Sequence, residues 1–128
     1  MSILTGLSLN AQVTNRDITT EINRELGTDS WKLQGRNLIV DYGSASAGRA
    51  LWGIESVTYS VKYEFVQREE MNVWVLYVKC KDATGCIEDP SFPQFDYPSF
   101  QLGLEYQIVL SDHEDRAKRV LALLQKLK

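Results

Sequence analysis

The last third of this chain constrains its fold most, because a β-strand there runs directly into an amphipathic helix. From Phe100 onward, Leu102, Leu104, Tyr106, Ile108 and Leu110 fall on one side of the backbone. Gln101, Gly103, Glu105 and Gln107 fall on the other. A period of two marks a strand with one buried face. After Ser111 the period changes, and Ala117, Val120, Leu121, Leu124 and Leu127 recur at helical spacing. Ser111-Asp112-His113-Glu114 reads as a capping box that opens this helix, with acids in its first turn and Lys126 and Lys128 in its last. A sheet closed by a C-terminal helix follows, and many functions share that scaffold.

At 128 residues the chain is one domain by the usual prior, long enough to bury a core without staples. Its 44% apolar and 24% charged residues are ordinary for a globular protein. A formal charge of −3 argues against a dedicated nucleic-acid binder, whose footprint is basic. No apolar run approaches the ~20 residues that cross a bilayer as a helix, so no integral membrane segment is expected.

Upstream, a helix is predicted from Arg16 to Leu26. Thr14 and Asp17 have capping-box spacing before it, and Gly27 is a natural C′ residue after it. Trp31–Leu33 and Leu38–Tyr42 read as two strands joined at Gln34–Asn37, and Gly43–Gly48 as a loop. The longest strand follows, with Val57, Tyr59, Val61, Tyr63 and Phe65 alternating against Thr58, Ser60, Lys62 and Glu64. Arg68-Glu69-Glu70 turns it, and Met71–Lys79 returns with both faces apolar, so that strand is expected to sit centrally or to be covered on both sides. Cys86-Ile87 starts a short further strand. Glu88–Pro98, with three prolines, is a long loop. The expected fold is therefore α+β: an antiparallel, strongly bent sheet or partial barrel of about six strands, with an N-terminal helix and a capping C-terminal helix. Residues 28–128 hold the sheet and the terminal helix. Residues 1–12 are either a signal-peptide remnant or an N-terminal arm; a remnant would favour a periplasmic or secreted protein, with the cytoplasm as the alternative.

Cys80 and Cys86 flank Lys81-Asp82-Ala83-Thr84-Gly85, turn-forming material that can set two strands face to face. They are expected either as a disulfide or as free thiols near a hairpin. Two cysteines with one histidine on another element are too few for a structural zinc site.

The inventory for catalysis is thin. Gly43–Ala50 has the glycine spacing of a phosphate-binding loop, but Arg49 and Ala50 stand where that motif needs Lys and Ser or Thr. His113 is the single histidine, and Ser111 and Asp112 beside it diverge in direction at a helix start. The paired acids Glu69-Glu70, Glu88-Asp89 and Asp112 with Glu114-Asp115 lie in turns or at a helix start. No catalytic residue, metal or cofactor is expected. Contact residues are. Arg49 and Trp52 are hot-spot residue types beside a flexible loop, and Phe92, Phe95 and Tyr97 crowd a proline-rich loop. Those three aromatics either fold back over one end of the sheet or present an exposed patch.

Trp31-Lys32-Leu33-Gln34-Gly35-Arg36-Asn37-Leu38 forms a strand–turn–strand, and Val78–Lys81 leads through Gly85 to Cys86-Ile87. With the strand-to-helix ending from Ile108 to Leu127, this pattern resembles the pleckstrin-homology-like superfold, and more narrowly small bacterial proteins of unknown function with that fold. The resemblance covers residues 28–128. It implies a bent antiparallel sheet capped by the terminal helix. The basic phosphoinositide-binding loop of lipid-binding members has no counterpart here, so headgroup binding is not implied.

The expected function is a non-enzymatic binding or assembly module, using an exposed strand edge or the 91–100 loop. Its partner would be a protein or a small apolar ligand held between the sheet and the terminal helix. A small acidic cytosolic chaperone of a bacterial secretion system is the alternative.

Overall fold

The computed structural model describes residues 13–41, 48–88 and 102–128. Helix α1 (Asn15–Leu26) leads into strands β1 (Trp31–Gln34), β2 (Asn37–Asp41) and β3 (Arg49–Gly53). A single 3-10 turn at Ile54–Ser56 precedes β4 (Val57–Val66), which pairs with β5 (Met71–Cys80). Then come β6 (Ile87–Glu88), β7 (Glu105–Ser111) and helix α2 (Glu114–Gln125).

Local chemistry explains the first helix. The Thr14 hydroxyl accepts from the Asp17 amide at 3.1 Å, and the Asp17 carboxylate accepts from the Thr14 amide at 3.0 Å. Two otherwise orphaned N–H groups are thereby satisfied. Gly27 ends the helix with φ of 65°, a left-handed conformation that a side chain would strain. Asn23 then pins the helix to β1, donating to the Trp31 carbonyl at 2.9 Å and accepting from its amide at 3.0 Å.

The strands form two open antiparallel sheets, one ordered β1-β2-β3-β6 and the other β4-β5-β7. The fold is α+β, with a helix at each end of the chain. Seven strands are present where about six were expected. The added one is β3, in which Ala50, Leu51 and Trp52 oppose Val40, Ile39 and Leu38 of β2. This strand begins at Arg49, directly after the expected Gly43–Gly48 loop, of which residues 43–47 lie outside the described residues. The final strand begins at Glu105, later than the alternation suggested, although Gly103 still bridges Ile87 and so joins the two sheets.

The start of α2 also differs from expectation. Ser111 stays in β7, opposite Trp74, and its hydroxyl accepts from the His113 amide at 3.0 Å. The N-cap is His113, without a side-chain bond to the helix. The capping-box spacing is met in sequence, but the ladder to β5 holds Ser111 extended.

The core lies between the sheets and helices. Trp31, Leu38, Val40, Trp52 and Ile87 meet Leu76 and Val78, closed by Ile18 and Ile22 from α1 and Val120 and Leu124 from α2. Strand β5 is apolar on both faces, as its sequence indicated. Val73, Val75 and Tyr77 build a second buried cluster on the face away from α2, with Val66 and Val109 against it.

Candidate functional site

Helix α2 has 12 residues, while β4 and β5 have ten each. A helix rises 1.5 Å per residue and a strand about 3.3 Å. The helix therefore spans about 18 Å of a hairpin about 33 Å long. Strand β7 stops short as well, since its last residue, Ser111, pairs with Trp74. The hairpin tip beyond that point, with Val66 opposite Met71, projects as a two-stranded ribbon among the described residues.

This leaves apolar residues in water. Tyr63 is 55% exposed and Phe65 62% exposed, although both continue the face on which Val57 is buried and Tyr59 packs against the core. Trp74 lies opposite Tyr63, their ring centroids 5.3 Å apart. The Lys118 ammonium sits 6.0 Å from the Trp74 centroid, at the limit of a cation–π contact. On the other face of β4, Lys62 lies 4.9 Å from the centre of the Tyr77 ring, and Glu64 accepts a hydrogen bond from the Tyr77 hydroxyl. That bond, reinforced by burial, pushes the Tyr77 phenol up to about 12.

Strand β4 is an edge of its sheet, with β5 as its one partner among the described residues. A long edge strand exposes unpaired N–H and C=O groups, and natural proteins normally blunt such edges. Here the edge runs ten residues and carries two exposed aromatics. It can add a strand through its backbone and hold alternate side chains on its rings.

The residues singled out in the sequence fall elsewhere. Phe92, Phe95 and Tyr97 lie outside the described residues. Arg49 is exposed at the start of β3, opposite Asp41. Trp52 is fully buried, not poised beside a loop. Its ring packs against Trp31 at 6.2 Å and against Tyr59 and Tyr106 at 6.5 Å, because the pairing of β3 between β2 and β6 turns it inward. Cys80 and Cys86 are joined in a disulfide, so neither sulfur is a thiol nucleophile. His113 is exposed, 3.5 Å from Asp112.

Between the end of α2 and the start of β4 lies a cleft of about 450 Å³, lined by Ile54, Val57, Tyr59, Lys81, Leu124 and Leu127 among others. Glu55 at its rim already pairs with Arg36 at 2.6 Å. Among the described residues, no group of three or more His, Cys, Asp or Glu is placed to hold a metal. No described helix is long and apolar enough to cross a membrane.

Tyr63 and Phe65 escaped the sequence reading because their alternation is that of a core face. The available signal was length: ten residues of strand against a much shorter helical cover. Comparison with protein-family models, with curated proteins and with solved structures gave no match to this chain.

Proposed function

We propose that this protein is a non-enzymatic binding module that takes an extended protein segment against the outer edge of β4. The observation that carries the reading is the ten-residue edge strand with Tyr63 and Phe65 exposed along it. Backbone pairing supplies affinity in this mode of recognition, and pockets or platforms for alternate side chains supply selectivity. Tyr63, Phe65 and Trp74 form the apolar platform. The ion pair of Lys118 with Glu114 at 3.1 Å holds that lysine over its rim. A disulfide suits an oxidising compartment, so the same reading places the module outside the reducing cytosol.

A displayed library of ten-residue peptides tests this. Selected binders should alternate apolar and polar residues and shift the backbone amide NMR signals of residues 57–66. Tyr63→Ser with Phe65→Ser should weaken them at least about tenfold, the equivalent of 1.4 kcal/mol. Binders whose shifts map to the cleft around Tyr59 and Leu124 would instead assign recognition of small apolar groups to that cleft and overturn the edge reading.

A further inference from the structure

We infer that the segment taken by the β4 edge is β4 of a second copy of this chain, giving a two-fold dimer with a continuous six-stranded sheet. This rests on the edge reading above and names its occupant.

The argument is self-complementarity. Two edge strands related by a two-fold axis perpendicular to the sheet run antiparallel, with the same faces on the same side. Residues directly opposite each other must then share a face, so the residue on the axis meets its own copy. If Lys62 lies on the axis, two ammonium groups oppose each other; if Glu64 does, two carboxylates do. Like charges directly opposite destabilise a pair of strands. The register between them puts Tyr63 on the axis.

In that register Lys62 of each copy faces Glu64 of the other, so two opposite-charge pairs form on one face. Val61 faces Phe65 twice on the opposite face, and Tyr63 meets Tyr63. Residues 60–66 of each strand find partners, and the ladder stops where the 3-10 turn at Gln67–Glu69 begins. The aromatics that α2 leaves uncovered, Tyr63 and Phe65, are the ones this register covers. Both charges already stand on the same face of β4, flanking Tyr77 through the Lys62 and Glu64 contacts. The sequence around Tyr63 is thus attractive to its own copy in one register and repulsive in the registers on either side.

Charge exchange tests the register. Lys62→Glu alone places carboxylates opposite carboxylates, and Glu64→Lys alone places ammonium opposite ammonium. Each variant should raise the dimer dissociation constant at least tenfold in sedimentation equilibrium. An equimolar mixture of K62E and E64K should restore dimers, as heterodimers, because every opposed pair is then of opposite sign. Circular dichroism confirms that each variant is folded.

Should E64K fail to fold, Tyr63→Cys gives the answer independently. Opposed residues of an antiparallel pair lie about 4.5–5.5 Å apart at Cα, inside disulfide range. Mild oxidation should link Y63C into covalent dimers. Thr58→Cys, five positions from the axis and so roughly 33 Å from its own copy, should stay unlinked. A wild-type chain that remains monomeric up to about 1 mM, or a dimer that K62E leaves unchanged and Y63C does not link, overturns the proposal. Peptide-induced shifts at residues 57–66 would still stand in that case, so failure of the dimer is distinguishable from failure of the edge.

Discussion

Trp52 donates its indole N–H to the hydroxyl of Tyr59 at 3.0 Å, and this bond ties β3 of one sheet to β4 of the other inside the core. A buried indole without an acceptor bears the full desolvation cost of its N–H. Tyr59→Phe removes the acceptor and little else. It should cost about 1–3 kcal/mol in urea unfolding, with no change in far-UV circular dichroism.

The same pair predicts an alkaline transition. Burial pushes the Tyr59 phenol up to about 12, against a weaker opposing effect of the Trp52 bond. The folded state therefore holds its proton to higher pH than the unfolded chain, whose phenol titrates near 10. That contribution is complete below pH 10 and is lost as pH rises from about 10 to 12. The stability advantage of wild type over Tyr59→Phe should be constant from neutral pH to about 10 and shrink above it. Unfolding midpoints of the two proteins at stepped pH measure this, and an advantage that grows above pH 10 would refute it.

The Cys80–Cys86 bridge closes a loop of six sequence positions. In the chain-entropy model so short a loop contributes about 2 kcal/mol. Cys80→Ser with Cys86→Ser should lower stability by about that amount, and reductant should lower wild type to the same level while leaving the double variant unchanged. Because the Cys80 amide donates to the Leu104 carbonyl, the Cys86 amide to the Gly103 carbonyl and the Gly103 amide to the Ile87 carbonyl, exchange of the amides at positions 80, 86 and 103 should accelerate more than in α1.

Two glycines separate strain from contact. Gly35 has φ of 59° and open space where a Cβ would stand, whereas at Gly85, with φ of 86°, a Cβ would meet the Leu102 carbonyl oxygen at 2.5 Å. Gly35→Ala should cost about 1 kcal/mol, the left-handed penalty alone. Gly85→Ala should cost distinctly more, because backbone must move as well. Equal losses in thermal unfolding would show that the segment at Leu102 yields freely.

At acid pH the first helix should weaken. The Asp17 carboxyl is held below its ordinary range by the Thr14 amide and then by the Thr14 hydroxyl. A lowered carboxylate contributes stability above the unfolded value near 3.8 and loses it as pH falls through the folded one. Asp17→Asn should be less stable than wild type at neutral pH, with the difference closing below about pH 4.

Features set by neighbours in sequence were legible from it. The Thr14–Asp17 cap, the Gly27 stop and the β4–β5 hairpin depend on residues within a few positions of one another, or on simple alternation. The double-faced burial of β5 followed from Val73, Val75 and Tyr77 standing against Trp74, Leu76 and Val78. Strand β3 was not legible, because Arg49–Gly53 is short and its strand character comes from pairing with β2 and β6. Ser111 misled for a related reason: its cap signature is local, while the β5 ladder that holds it extended is not.

By itself the sequence determined the two helices, most of the strands, the cap and stop of α1 and the apolar faces, since these express backbone sterics and side-chain period over a few residues. The tertiary structure decided which of those apolar residues stay outside. Tyr59 and Phe65 lie on the same face of the same strand and follow the same alternation. One is covered, with its hydroxyl bonded to Trp52, and the other stands in water. The difference is where the cover begins: β7 ends at Ser111 opposite Trp74, and α2 runs from there back to the start of β4, where Leu124 and Leu127 meet Val57 and Tyr59, so the half of β4 beyond Tyr63 is left without a helix over it.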